Sequence, residues 1–404
     1  MKRKNIYKST LLFLMVVMIS CSSDSTATGN IVEEPKQEIK LPTLQTNEAE
    51  NIGVFQASIW GKVLDDGGNS VQLRGVCYSK NENPTYDDAK KNATVVKGSG
   101  EFMVDLSGLE FNQVYYAKTF AINDKGIGYG NQISFKTLNI NPPVVNIGET
   151  KIAAVHDIWL EVKLQEGDEN INEVGIVYSK TNNPTIENNK IVHDKVELNY
   201  KQRITSLDEE TLYYIKSYAI TPNAITYSDE IAVTTIKKGN FTWSFWWEDA
   251  NADSETKAAF ERIRIAFDQA TWYYNNFTSI EKHVNVNYSP GTPTADAKFD
   301  GWINFGANPS YQRTGTAMHE MAHTVGVGTH WKYTELMQGS WQGNRANAIL
   351  KFMTNNNGAL IYGDKIHFWP YGINGAHEDT GLEMDYIIHA LIIQGMKSDG
   401  LPSK

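Results

Sequence analysis

The chain has 404 residues, 41% of them hydrophobic and 21% charged, with a formal net charge of −10. That length exceeds one ordinary hydrophobic core and predicts several domains, while acidity without a basic block argues against nucleic acid as a partner. Two cysteines cannot staple such domains or build a cysteine-based zinc site, so packed cores must hold them.

The chain opens with MKRKNIYKST, the apolar run LLFLMVVMIS and then Cys21. This is the order of a secretory leader, and the apolar run is too short to span a bilayer comfortably. Met18-Ile19-Ser20-Cys21 resembles a bacterial lipobox, with Met where Leu is commoner. The resemblance implies cleavage before Cys21 and lipid attachment to its sulfur. Residues 1–20 are therefore expected to be a lipoprotein signal peptide, and 21–45 a flexible polar tether. The location this implies is the outer membrane or cell surface, extracytoplasmic, with the membrane reached through the lipid.

Two segments then repeat. GVCYSKNENPTYDD from Gly75 matches GIVYSKTNNPTIEN from Gly175, and VYYAKTFAINDKGIGYGNQISFKT matches LYYIKSYAITPNAITYSDEIAVTT. A period near one hundred residues is a domain, not a solenoid turn. Short alternating runs such as QASIWGKV, punctuated by Gly, Asn, Asp and Pro, predict about seven strands per copy and hence β-sandwiches. The G-x-x-Y-S and L-x-x-x-x-x-Y-Y-x-K-x-x-A-I patterns resemble fibronectin type III-like modules, which places module 1 at 46–139 and module 2 at 140–237. Cys77 is expected as a buried free thiol. Neither copy clusters acids, His or Cys, so both read as spacers.

Composition shifts at KKGNFTWSFWWEDAN, and residues 238–404 hold seven of the nine histidines. Phe260, Ile263, Phe267, Ala270, Tyr274 and Phe277 recur at helical spacing, with Asp253 or Ser254 as cap. HVNVNY and DGWINFG read as strands, SPGTPTAD as a turn-rich loop, and GWINFG as a candidate edge strand for an extended peptide. Thr314 and Thr316 are candidate caps for a helix through AMHEMAHTV, and glycines at 326 and 328 turn the chain after it.

That helix carries HEMAH. His319 and His323, four apart, share one helix face and can grip one metal ion, with Glu320 between them. Zn2+ in a hydrolase takes a third protein ligand and keeps a position open for water. Bound water then ionises near neutral pH, and Glu320 acts as general base. The stretch resembles the zincin peptidases, and within them the metzincins, which read H-E-x-x-H-x-x-G-x-x-H. His319, Glu320, His323 and Gly326 fit; the next ligand position is Thr329, and His330 falls one residue late. Met384 and Met396 are candidates for the Met-turn of that family. His367, in GDKIHFWPYGIN, is the rival third ligand. The domain is also similar to a group of secreted bacterial proteins combining HE-x-x-H-x-x-GVGT with HFWPYG, which implies a distal histidine ligand and favours His367. His389 reads as a core histidine and His377 as solvated. Tyr371 is a candidate oxyanion donor. Of Trp331, Trp341 and Trp369, at least two are expected in the core.

The expected architecture is thus multidomain: two all-β fibronectin type III-like sandwiches, then an α+β zincin-like catalytic domain. The expected function is that of a surface-anchored, zinc-dependent metallopeptidase acting on protein or glycoprotein, as a monomer. The alternative is a non-catalytic cell-surface binding protein for glycan or host protein.

Overall fold

The computed structural model describes residues 38–403. The predicted leader 1–20 and the predicted lipidation site Cys21 lie outside the described residues. No helix among the described residues is long and apolar enough to cross a membrane.

Each repeat is a sandwich of a three-stranded and a five-stranded sheet, eight strands in all. In module 1 the smaller sheet holds Thr43–Glu50, Gln56–Asp65 and Gly100–Ser107. Its first strand begins at Thr43, inside the stretch expected to be tether. In module 2 the equivalents are Val144–Ala153, Ile158–Gln165 and Asn199–Ile204. The two copies keep the same register: Gly75 opposes Phe120, and Gly175 opposes Tyr218. Alternation dictates which side chains enter each core, as with Ile158, Leu160, Val162 and Leu164. The Tyr115 hydroxyl accepts from Glu110 N at 3.0 Å, and the Tyr213 hydroxyl from Asp208 N at 3.0 Å. These are the tyrosine corners of such sandwiches. Cys77 is fully buried among strands, and burial pushes its thiol up to about 11, so it is an inert core residue.

The C-terminal domain is a mixed α/β layer structure. Its sheet runs Asn240–Phe245, Glu281–Tyr288, Trp302–Phe305, Ala295–Ala297 in spatial order. The first three strands are parallel and the last is antiparallel. Parallel pairing of the first two needs a crossover, supplied by helix α1 (Ser254–Phe277). Asp253 caps α1 by accepting from Thr256 N. The edge strands are Asn240–Phe245 and Ala295–Ala297, the latter in a stretch that reads largely as loop, and Trp302–Phe305 is internal; this corrects the edge assignment. Three residues flanked by turn formers carry too little alternation to be recognised.

Five further helices follow: α2 (Thr314–Thr324), α3 (Trp331–Leu336), α4 (Asn344–Thr354), α5 (Gly375–Glu378) and α6 (Glu383–Ser398). The core joins the inner sheet face (Val284, Val286, Ile303, Phe305) to α1, α2 and α6. Of the three tryptophans, only Trp341 enters this core; Trp331 and Trp369 are exposed, contrary to expectation. Trp341 is held there because its indole N–H donates to Asp399.

Candidate metal centre

Helix α2 is buried along its whole length, so its polar side chains must find partners inside the protein. Neither predicted threonine caps it. The residue before the helix is Arg313, with no capping side chain. The cap arrives from a distant segment: Asp379 accepts from Gly315 N at 3.0 Å and from Arg313 Nε at 2.7 Å. Burial alone would push the Asp379 carboxyl up. Bonds from Tyr386, Arg313 and the Gly381 and Gly315 N–H groups outweigh it and hold the pKa below the usual range. Thr314 instead donates to Gln269, and Thr316 accepts from Gly375 N.

His319 and His323 face one another across a single helical turn. His319 Nδ1 lies 2.6 Å from Gly372 O, and His323 Nδ1 lies 2.7 Å from Val327 O. A carbonyl oxygen accepts only, so both Nδ1 atoms carry the proton and both Nε2 atoms keep a lone pair. Those two Nε2 atoms are 3.2 Å apart. Between two bare acceptors this is no hydrogen bond; it is a repulsive contact that a cation would relieve. Zinc–nitrogen bonds of about 2.0–2.1 Å at a tetrahedral angle imply a spacing of about 3.3 Å. Burial, and for His319 also the neighbouring His323, lowers both imidazole pKa values, so they are neutral and ligand-competent.

His367 completes the group. Ligand atoms of His319, His323 and His367 lie within 4.8 Å of one another, and its ring is 5.3 Å from His319 and 5.4 Å from His323. Its backbone is pinned from two sides. The Tyr333 hydroxyl donates to His367 O at 2.7 Å, and His367 N donates to Asp364 Oδ1 at 2.6 Å. His330 is not brought to the trio. It caps α3, its Nδ1 accepting from Lys332 N, and its ring lies against Phe299. The turn after α2 explains both outcomes. Gly326 and Gly328 adopt φ of +107° and +64°, and a side chain on Gly328 would meet Ile366 O at 2.2 Å. The turn thus packs directly on the segment before His367 and carries His330 past the trio.

Glu320 is 2% exposed, and its Oε2 has no hydrogen-bond partner. Burial, with a smaller contribution from Asp296, pushes its carboxyl up to about 8. A cleft of about 600 Å³ opens beside the trio, lined by His319, His367, Trp369, Tyr371, Tyr311 and His377 among others. Two residues of this wall, Tyr371 and Ile373, hold positive φ (67° and 29°). Such conformations are costly for bulky residues and cluster at functional sites. Burial, with a smaller contribution from Asp385, raises the pKa of the Tyr371 hydroxyl. His377 is exposed beside Glu378, as expected of a solvated residue. His389 is fully buried and holds the same loop from beneath, its Nδ1 2.7 Å from Tyr371 O.

Sequence reasoning missed the carbonyls of Gly372 and Val327, the Tyr333 hydroxyl and the Asp379 cap. The two carbonyls are backbone groups that no side chain signals, and Tyr333 and Asp379 act on segments far from them in sequence.

No family model and no curated protein matches the chain. Among solved structures, it is similar to the FN1–FN3 domains of chicken CNTN1 at 17% identity and a TM-score of 0.20, covering 50% of this chain and 70% of that one. It is also similar to the sensor domain of the anti-sigma factor RsgI4 of Pseudobacteroides cellulosolvens, at 21% identity and a TM-score of 0.20, covering 25% of this chain and 98% of that one. The sandwich architecture of the modules stands on their strand topology and tyrosine corners.

Proposed function

We propose that the C-terminal domain is a zinc-dependent peptidase. The observation that carries this reading is the convergence of three histidines, two with Nδ1 committed to carbonyls and Nε2 left bare. His319, His323 and His367 would hold the ion through nitrogen, the donor set zinc favours. When bound, zinc supplies Lewis acidity that activates water and polarises a carbonyl oxygen. In its ionised form, which the charge of a bound cation would favour, Glu320 would take a proton from the water whose oxygen attacks the peptide carbonyl carbon, and return it to the nitrogen as the C–N bond breaks. The Gly372 and Val327 carbonyls keep the two imidazoles oriented, as outer partners do in metal sites. A protein that only binds has no use for a buried carboxyl whose oxygen lacks a partner, because such a group costs folding free energy.

The test is metal content and casein cleavage by the full chain. Stoichiometric zinc is expected in the wild type and in His330→Ala, and its loss in His367→Ala. Glu320→Gln is expected to keep zinc while cleavage falls by on the order of 10²–10⁴. Zinc kept by His367→Ala but lost from His330→Ala overturns the ligand set. Cleavage that survives a chelator, or none in the zinc-loaded wild type, overturns the peptidase.

A further inference from the structure

The C-terminal sheet is covered on one face only. Phe241, Val284, Val286, Ile303 and Phe305 point into the core. The alternate positions point outward and carry a different chemistry. Ser244, Asn285 and Trp302 form one cross-strand row, and Asn287, Asn304 and Asp296 form the next. Trp246, 64% exposed, stands edge-on to Trp302 with ring centres 5.1 Å apart.

We propose that this open face is a carbohydrate-binding platform. Its side chains are already fixed in place. The Trp302 indole N–H donates to Asn304 Oδ1 at 2.9 Å, Asn287 Nδ2 donates to the same oxygen at 3.1 Å, and Asn304 Nδ2 donates to Asp296 Oδ1 at 2.8 Å. This one-way chain leaves the Asn287 amide oxygen and Asp296 Oδ2 as unengaged acceptors among the described residues. Two indole rings offer flat, electron-rich faces to the C–H groups of a sugar, and the acceptors receive its hydroxyls. A network ordered before the ligand arrives spares the entropy of ordering it on binding.

The same inventory excludes other partners. No aliphatic side chain stands in the two rows, and Asp and Ser are depleted from the cores of protein interfaces. Beside the rows stand Lys298, bonded through its backbone to Trp302, and His283, 3.3 Å from the Ser244 hydroxyl, whereas nucleic acids and sulfated glycans demand a larger cluster of cations. A neutral polysaccharide fits. The platform also leads toward the histidine cluster: Asp296 lies on the strand Ala295–Ala297, which packs against α2. The proposal does not rest on peptide hydrolysis, because the face stands whether or not Glu320 is catalytic.

The test is affinity electrophoresis of the full chain through gels cast with α-mannan, galactomannan, dextran or hydroxyethyl cellulose, with heparin as the charged arm. At least one neutral polysaccharide is expected to retard the wild type. Trp246→Ala and Asn304→Ala are expected to weaken that binding about tenfold or more, as loss of a central aromatic or anchored polar group does. Trp272→Ala removes a 52% exposed tryptophan on α1, which packs on the opposite face of the sheet, and is expected to migrate as the wild type. Trp246 contributes little to the core, so its variant should fold, which near-ultraviolet circular dichroism verifies. No retardation by any neutral polysaccharide, retardation by heparin alone, or wild-type migration of Trp246→Ala overturns the proposal.

Discussion

His389 shows how a residue remote from any chemistry can still govern the site. It is fully buried on α6, with Nδ1 2.7 Å from Tyr371 O and Nε2 3.2 Å from the Tyr274 hydroxyl. Tyr371 adjoins Gly372, whose carbonyl orients His319, so the two histidines grip neighbouring peptides of one loop. Burial lowers the His389 pKa to about 4, against about 6.5 in an unfolded chain. The unfolded state therefore binds the extra proton between those values, and stability rises with pH across the window. The contribution is complete above about pH 6.5 and is lost as pH falls through about 4, on the order of 3 kcal/mol at most. Urea midpoints of the chelated protein at pH 7, 5.5 and 4 check this. His389→Asn keeps a donor for Tyr371 O but cannot ionise, so its midpoint is expected to fall less steeply than the wild type's. Parallel slopes would mean that this imidazole is not the source of the acid sensitivity.

At the scale of elements, the turn after α2 couples the helix to the loop that carries His367. Gly328, at φ +64°, would place a side chain 2.2 Å from Ile366 O and 2.5 Å from Ile366 Cα. Backbone cannot yield as a flexible side chain can, and Ile366 precedes His367. Gly328→Ala is therefore expected to displace the third ligand, costing at least tenfold in zinc affinity, while α2 and its two histidines persist. A competition titration with a chromophoric chelator measures it; unchanged affinity would show that the loop carrying His367 is set elsewhere. The glycines, the HEMAH spacing and the α1 stripe were legible because each depends on neighbours within one or two turns. Which histidine joins His319 and His323 was not legible from spacing and was favoured as His367 only through the resemblance, since it depends on how two separate loops meet. The Asp379 cap was hidden for the same reason, and the α3 and α4 helices because neither begins with a recognised cap: His330 serves α3, and a bare Gly343 precedes α4. The sandwich repeats were readable because strand alternation is local and occurs twice.

At the scale of the whole molecule, module 2 is more than a spacer. Both repeats place a tryptophan on the outer face of the small sheet, after a buried isoleucine. In module 1 that residue, Trp60, is 37% exposed; in module 2 its counterpart, Trp159, is 5% exposed. The difference is the C-terminal domain. Trp159 packs on Phe277 of α1 at 6.2 Å, and Ile152 and Ala154 join the same apolar core. Across the junction Val155 N donates to Asn276 O at 3.3 Å, and within module 2 Ile236 N donates to Ala154 O at 3.1 Å. Arg203 lies over the Trp159 ring while paired with Asp157 at 2.8 Å. A fragment starting at residue 238 would expose Phe277 and lose these bonds, whereas one starting at 140 keeps them. We expect residues 140–404 to unfold at the temperature of the C-terminal domain in the full chain, and residues 238–404 several degrees lower. In the full chain, Trp159→Ala should cost about 3–5 kcal/mol, the range for removing a buried tryptophan, while Trp60→Ala should cost far less. Scanning calorimetry of the two fragments and two variants decides the matter. Equal melting of both fragments, with a harmless Trp159→Ala, would return module 2 to the role of a passive spacer.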